Sequence, residues 1–429
     1  MARGLGVADF GLFAALSGLA LLLAEGANLG LHAVAPRALV AGEVSWQALV
    51  RAKIALSALL AGLALALAPR WPLLALLVAA GLLVGWSEFL GVLLRSLGAR
   101  AAEAATILSL RAAALGLGLL ALARWGGPLA VAVAQAAAGA VAIGLGAVLL
   151  GRSRRAVATL PLPDPGLASV LRYSLPLGVN GLLALTGLRL EVLAIEALRG
   201  GAEAGLFASA LRLIEPLLLV PASIAAGAMP ALTREAVAGE GPVRRRTAFS
   251  AALLAVPAAV GLALLAPGLL GLLFGTAYAG AALPLRILSL ALVPLFMNSV
   301  LLHGLIAAGQ VGRLPWLTAL RLAAALLLAA ALIPRFGPAG GAAGFLLAEL
   351  VLLVSASRAC TRAGFPIPVV EPLSLGCAAS LPMAGVVALS SSPFAAVAIG
   401  GLIYAGTLLV VWRLTPRLLS LLPPHVRYS

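Results

Sequence analysis

The stretch GVADFGLFAALSGLALLLAEGANLGLHAVAPR at residues 6–37 has a second version, GAEAGLFASALRLIEPLLLVPASIAAGAMPA at residues 201–231, in register under a shift of 194. Gly11, Leu12, Phe13 and Ala14 fall on Gly205, Leu206, Phe207 and Ala208, Asp9 falls on Glu203, and Pro36 falls on Pro230. Matches of Ala and Leu carry little weight in a chain this rich in them. Phe and Pro are scarcer and carry the signal. Under a shift of 210, Arg111, Gly127 and Pro128 fall on Arg321, Gly337 and Pro338. The change of offset, 210 less 194, implies sixteen extra residues in the later copy. They are expected in 247–281, where FGTAYAGAALPL supplies a loop that the first copy lacks. Matching helices have matching polarity, so the copies form a parallel repeat.

Composition fixes the class, because 63% hydrophobic and 10% charged residues over 429 positions is far from a soluble balance. Apolar runs of about 20 residues, long enough to cross a hydrocarbon core of about 30 Å as helices, recur from end to end. Thirteen are readable, at 9–34, 49–68, 72–94, 104–123, 128–151, 172–196, 204–230, 247–273, 281–308, 314–334, 339–358, 373–391 and 394–413. Continuous apolar runs exclude a β-barrel, which would show short alternating segments.

The net charge of +15 does not point to nucleic acid, since the basic residues neither cluster on a soluble face nor interleave with aromatics. Topology accounts for them. With loops placed alternately on two sides, nineteen basic residues fall on one side, among them Arg37, Arg51, Lys53, Arg95, Arg100, the RSRR at 152–155, the RRR at 244–246, Arg417 and Arg427. The other side receives five, Arg3, Arg70, Arg124, Arg199 and Arg335. The positive-inside rule then places the C-terminus in the cytoplasm and the N-terminus outside. The two Arg clusters read as anchors, with lipid headgroup binding as the lesser reading. Cys360 and Cys377 are not expected to form a structural disulfide. The first apolar run is too long, and lacks the basic flank, for a cleaved signal peptide.

The later copy opens with YSLPLGVNGLLALTGLRLEVLAIEALRG, directly before its GLF element, and the earlier copy has no counterpart to it. The expected fold is therefore all-α: a polytopic membrane protein of about thirteen transmembrane helices in two pseudo-repeated lobes, with the first helix of a fourteen-helix plan missing, either because the start is set too far downstream or because the first lobe lacks it. The lobes are assigned to 1–156, with five helices, and 157–363, with six; a helix pair and cytoplasmic tail occupy 364–429.

So arranged, the chain resembles the polysaccharide flippases of the MOP exporter superfamily, relatives of the lipid II flippases and the MATE antiporters. The resemblance runs over nearly the whole chain. It rests on YSLPL at 173–177, GLRLEVLAIEALRGGAEAGLFASALRL at 187–213, the LLFGTAYAGAALPLRILSLALVP segment and the LIAAGQVGRLPWL to LIPRFGPAGGAAGF run. It implies a V-shaped pair of lobes around a cavity that opens alternately to either face. It also implies a polyprenyl-pyrophosphate-linked oligosaccharide as substrate, an inner-membrane location in a bacterial or archaeal cell, and a polysaccharide polymerase and glycosyltransferases as companions. A sugar head needs a polar path, and a pyrophosphate needs cations within the membrane.

Ionisable residues inside the predicted spans cost about 2.5–3.5 kcal/mol each on insertion scales, so they should face a cavity or each other. Arg212, Arg111, Arg321 and Arg189 are the candidate substrate contacts, and Glu25 and Glu215 the candidate ion-coupling or charge-balancing groups. Arg212 and Glu215 lie three apart on one helix face, as do Glu25 and Asn28, with His32 four further on. Mutual neutralisation of Arg212 and Glu215, snorkelling of Arg189, an interfacial Arg286 and simple packing of the repeat-related Arg111 and Arg321 are the competing readings. Asn180, Asn298 and Gln135 are candidates for helix–helix hydrogen bonds.

No HExxH, CxxC pair, GxSxG or Walker motif appears, and the longest loop, around 152–171, is too short for a catalytic domain. An enzyme, a metal site and a cofactor are accordingly not expected. Two other functions compete with the flippase. A cation or drug antiporter would need a buried acid, which Glu25 supplies; a membrane glycosyltransferase or ligase would need acidic or His-bearing loops.

Overall fold

The computed structural model describes residues 2–32, 35, 39, 44–154, 166–389 and 393–414. Among these, regular structure is helical throughout. That follows from the solvent: in hydrocarbon each backbone N–H and C=O must be satisfied inside its own segment. After a single turn at Ala2–Leu5 come α1 (Val7–Gly26), α2 (Trp46–Leu67), α3 (Pro72–Ser96), α4 (Arg100–Arg124), α5 (Gly127–Arg154) and α6 (Gly166–Arg199). There follow α7 (Gly201–Ile214), α8 (Leu219–Ala238), α9 (Val243–Leu273), α10 (Ala282–Ala307), α11 (Leu314–Arg362), α12 (Val370–Leu389) and α13 (Pro393–Leu414). Among the described residues, each of the thirteen apolar runs falls largely on helix. Ten helical stretches among the described residues are long and apolar enough to cross a membrane by length and composition.

Two of the runs need comment. The run at 204–230 is one span in two pieces, α7 and α8, joined by a 3-10 turn at Glu215–Leu218, where Pro216 withholds an N–H from the ladder. The runs at 314–334 and 339–358 are the two halves of α11. They meet at Gly337, whose φ of 53° and ψ of −132° leave the helical region between Pro334 and Pro338. A Cβ at Gly337 would stand 2.2 Å from Glu203 Oε2, and one at Gly340 2.3 Å from the Leu332 carbonyl, so the reversal requires glycine at both.

The repeat is visible in the backbone. Left-handed glycines punctuate corresponding turns: Gly6 and Gly200 ahead of α1 and α7, Gly98 and Gly309 ahead of α4 and α11, Gly127 and Gly337 at the next reversal. Their offsets of 194, 211 and 210 follow the sequence offsets to within one residue. The insertion expected in 247–281 falls on the longer α9 and on a 3-10 turn, Thr276–Ala281, whose Tyr278 is buried and packs on Phe274 at 5.5 Å between ring centroids.

Two compact units emerge, Met1–Glu196 with Gly200–Ala202, and Ala197–Arg199 with Glu203–Ser429. The expected boundary at 156/157 lies outside the described residues, as do Pro36, Arg37, Arg155, Arg417 and Arg427. In the first unit α3 packs on α5, α2 and α1, and α4 on α5. The α6 helix belongs to this unit as far as Glu196 and runs antiparallel to α1. A Cβ at Gly178 would lie 2.4 Å from the carbonyl carbon of Leu29, and one at Gly18 would lie 3.5 Å from Arg189 Cδ. Small residues thus permit the close helix approach that replaces hydrophobic driving force in lipid. In the second unit α10 is the most enclosed helix, packed against α8, α9 and α11, while α12 and α13 pack on α9.

Polar groups inside the spans are satisfied locally. Thr106, Ser289, Thr318 and Ser380 each donate their hydroxyl to the carbonyl four residues back. Prolines pose the harder case, because each frees the carbonyl four residues earlier. In α9, Pro257 frees Leu253 and Pro267 frees Ala263. Tyr404 of α13 donates to the Leu253 carbonyl at 2.6 Å, and Arg286 of α10 donates to the Ala263 carbonyl at 3.3 Å. Arg286, expected at the interface, caps a carbonyl that a proline inside α9 frees. Removing the Tyr404 hydroxyl with Y404F should cost about 1–2 kcal/mol of stability, because it orphans a buried carbonyl. In a P257A background the restored N–H satisfies Leu253, so the same change should cost far less. Thermal unfolding of the four chains as a double-mutant cycle checks this, and equal costs in both backgrounds would refute the proline explanation.

Candidate functional site

In the first unit, an apolar cluster of Leu31, Ala48, Leu49, Ala52, Phe89, Leu93 and Val170 lies beside a polar line. Glu25 lies in the last turn of α1 and Asn28 in the turn just past it, and Asn28 Nδ2 donates to Glu25 Oε2 at 2.7 Å. The amide oxygen of Asn28 accepts from the ammonium of Lys53 on α2. Lys53 has no exposed surface. Its nitrogen lies 5.9 Å from the centroid of the Trp86 ring and against Gly85, both on α3. His32 stacks on Phe89 with centroids 5.9 Å apart, a packing role. Topology groups Lys53 with the basic residues of the cytoplasmic side. In the structure it is no loop residue: it stands seven residues into α2, about 10 Å along the helix axis, and is buried.

Beside this line a cavity of about 240 Å³ opens between α3 and α4. Ser87, Glu88, Gly91, Val92 and Arg95 form one wall, and Glu103, Thr106, Ile107, Leu110 and Arg111 the other. Arg95 Nε donates to Glu103 Oε1 at 2.7 Å at one place in the lining. Deeper in, Glu88 lies within electrostatic reach of Arg111, Glu25 and Lys53, which joins the cavity to the polar line. Arg111 is exposed and stands eleven residues into α4, about 16 Å from the Arg100 end. A cationic group facing a cavity walled by Val92, Ile107 and Leu110 suits an amphiphile with an anionic head.

The repeat-related residues of the second unit are arranged differently. Arg321, the twin of Arg111, donates to the Glu349 carboxylate and places its guanidinium 5.4 Å from the Phe345 ring centroid. Asn298, the twin of Glu88, donates to Glu349 at 2.8 Å through the carboxylate and 3.0 Å through the backbone carbonyl. Arg321, Asn298 and Glu349 are each 5% exposed or less. The position matching Glu349 in the first unit is Gly139, where a Cβ would approach Leu83 Cβ to 2.8 Å. One twin is thus a closed, dry ion pair joining the two halves of α11 to α10. The other opens on a cavity.

The other candidates are placed as follows. Arg212 ends α7 and pairs with Glu215 at 3.9 Å, both partly exposed, which is the mutual neutralisation that their spacing allows. Arg189 packs its alkyl stem on Gly18, with Glu191 buried two residues further along α6. Of the Arg clusters expected as anchors, Arg244 is 19% exposed in its side chain, pairs with Glu235 at 3.3 Å and lies 5.0 Å from the Phe365 ring. Arg245 pairs with Glu371 and lies 5.3 Å from the Phe249 ring. Both clamp α9 to the segment around α12 instead of serving only the lipid surface. Sequence reasoning missed Lys53. The available signal was its rarity, one lysine against 28 arginines.

No family profile matches the chain, and no curated protein matches it either. Solved structures do. A lipid II flippase MurJ in an inward closed conformation superposes with a TM-score of 0.74 at 12% identity, over 96% of this chain and 94% of that one. An inward-facing multidrug resistance MATE transporter of the MOP superfamily gives 0.62 at 16% identity, covering 84% and 94%. The Vibrio cholerae MATE transporter VcmN, as a point mutant, gives 0.56 at 20% identity, covering 82% and 87%. The chain therefore has the fold these proteins share, an all-helical multi-pass membrane fold.

The two Arg sites should respond differently to truncation. Breaking a buried pair by removing one partner costs about 3–5 kcal/mol, so R321A should unfold at a markedly lower temperature than R111A. Replacing both members by apolar residues, as R321M with E349L, should recover most of the loss. Thermal stability of the purified variants decides between this and a binding role for Arg321.

Proposed function

We propose that this protein is a membrane transporter that flips a polyprenyl-pyrophosphate-linked oligosaccharide from the cytoplasmic to the outer leaflet by alternating access, for export of a cell-surface polysaccharide. The observation that carries the reading is the cavity between α3 and α4, where Arg111, eleven residues into α4, stands beside apolar walls, with Arg95 at the end of α3 in the same lining. An anionic head joined to a long hydrocarbon needs that combination, a cation for the phosphate and an apolar flank for the chain. The fold shared with a lipid II flippase supports it. In this reading Arg111 contacts the phosphate, Arg212 and Arg189 lie on the route, and Arg321 holds the second unit together. Glu25 and Glu215 balance Lys53 and Arg212. The repeat-based lobes 1–156 and 157–363 are the moving parts, the C-terminus is cytoplasmic in the inner membrane, and a polymerase and glycosyltransferases act around the transporter.

A second reading, a cation or drug antiporter, draws on the fold shared with the MATE transporters and on the acids Glu25 and Glu88 in the first unit. One experiment separates the two. In a host whose polysaccharide export depends on this chain, R111A at normal protein level should cut export at least about tenfold, the scale of one lost charge-assisted contact. Undiminished export would remove the flippase role of Arg111. Heightened sensitivity of a deletion strain to cationic drugs, with intact surface polysaccharide, would favour the antiporter.

A further inference from the structure

The chain uses arginine at every basic position but one. That one, Lys53, has no exposed surface, and its ammonium is met by the amide oxygen of Asn28. Asn28 turns its amide oxygen to the ammonium because its amide nitrogen is engaged by Glu25. Glu25 and Glu88 are both within electrostatic reach of the ammonium. Gly85 makes the space, for a methyl group there would meet the nitrogen at 3.4 Å. Oxygen donors of this kind, an amide carbonyl with carboxylates near it, are what a small hard cation selects.

The repeat shows that the fold does not need this socket. Under the shift of 194, Glu25, Asn28 and Lys53 fall on Leu219, Ala222 and Thr247; under the shift of 210, Gly85 falls on Leu295. Thr247 bonds its hydroxyl back to Val243 of its own helix at 2.8 Å. Unit two thus builds the same helices with no charge at these places. A buried charge that packing can do without costs stability, so the socket in unit one points to a function.

We propose that Lys53 is a tethered cation, occupying a monovalent-cation socket formed by Asn28, Glu25 and Glu88, so that the first unit works without binding a soluble coupling ion. The ammonium and an alkali ion are alternatives for one space. While the lysine is in place, sodium finds no vacancy. Truncating it creates one.

The test reads ion binding and involves no transported substrate, so its outcome is independent of the flippase reading. The unfolding temperature of the purified full-length chain is measured in chlorides of sodium, potassium, methylammonium and N-methyl-D-glucamine at equal ionic strength. The wild type should show one temperature in all four. K53A should unfold lower by about 5 °C or more in N-methyl-D-glucamine, and recover at least half of that loss in methylammonium or sodium. K53M, which fills the space without charge, and K53A with E25Q, which removes the acid, should show no recovery. A K53A chain that can be purified in methylammonium but not in N-methyl-D-glucamine also supports the proposal. A sodium-specific gain in the wild type overturns it. So does a K53A chain that gains nothing from either small cation, or one that cannot be purified in any of the four salts.

Discussion

Everything in this structure answers to one constraint: between the two interfaces there is no water to take an unmatched hydrogen bond or charge. Helices satisfy the backbone, and hydroxyls turn back onto their own helix. What is left over, the carbonyls that proline frees and the charges that function places at depth, must find partners on other helices. Those partners therefore set which helices are joined. The Tyr404 hydroxyl ties the terminal pair to α9, and the Arg286 guanidinium ties α10 to it. The Glu349 carboxylate, taken by Arg321 and Asn298, locks α10 and both halves of α11.

The sequence made legible whatever depends on period, length and position along the chain. The described residues of all thirteen apolar runs are largely helical, and the offsets of 194 and 210 reappear in left-handed glycines at matching turns. The Glu25–Asn28 stripe and the helix-bridging role of Asn298 also stood, because i, i+3 spacing and a lone buried amide each imply a partner. Partner choice across helices was not legible. That Arg321 meets Glu349 depends on the reversal at Gly337, which brings residues 28 apart onto facing helices. That Lys53 is inside depends on which side of α2 meets α1 and α3. A residue seven places from a helix start is compatible with loop-side topology and with burial alike, and only packing separates them.

The divergence of the twin sites shows how a repeat is put to unequal use. Arg111 and Arg321 descend from one position in the repeat, yet the acid that closes the second site, Glu349, corresponds to Gly139 in the first. Gly139 lets α5 approach α3, and the carboxylate moves to Glu88, at the edge of a cavity. Exchanging a carboxylate for a close helix contact turns a dry ion pair, whose net value is small, into an accessible cation. Symmetry of sequence thus predicts where polar residues lie but not which copy is structural.

The chemistry of the two cations explains why lysine appears where it does. Arginine's planar fork wants two or more acceptors and a flat face to stack on, which Glu349 and Phe345 give Arg321. The space bounded by Asn28, Gly85 and Trp86 turns a single amide oxygen to the cation, which suits a point charge more than a planar fork. A compact ammonium fits, and it is the side chain most like a free monovalent ion in size and hydration. In a chain that otherwise writes positive charge as arginine, the exception marks the one place where the charge must behave as a point.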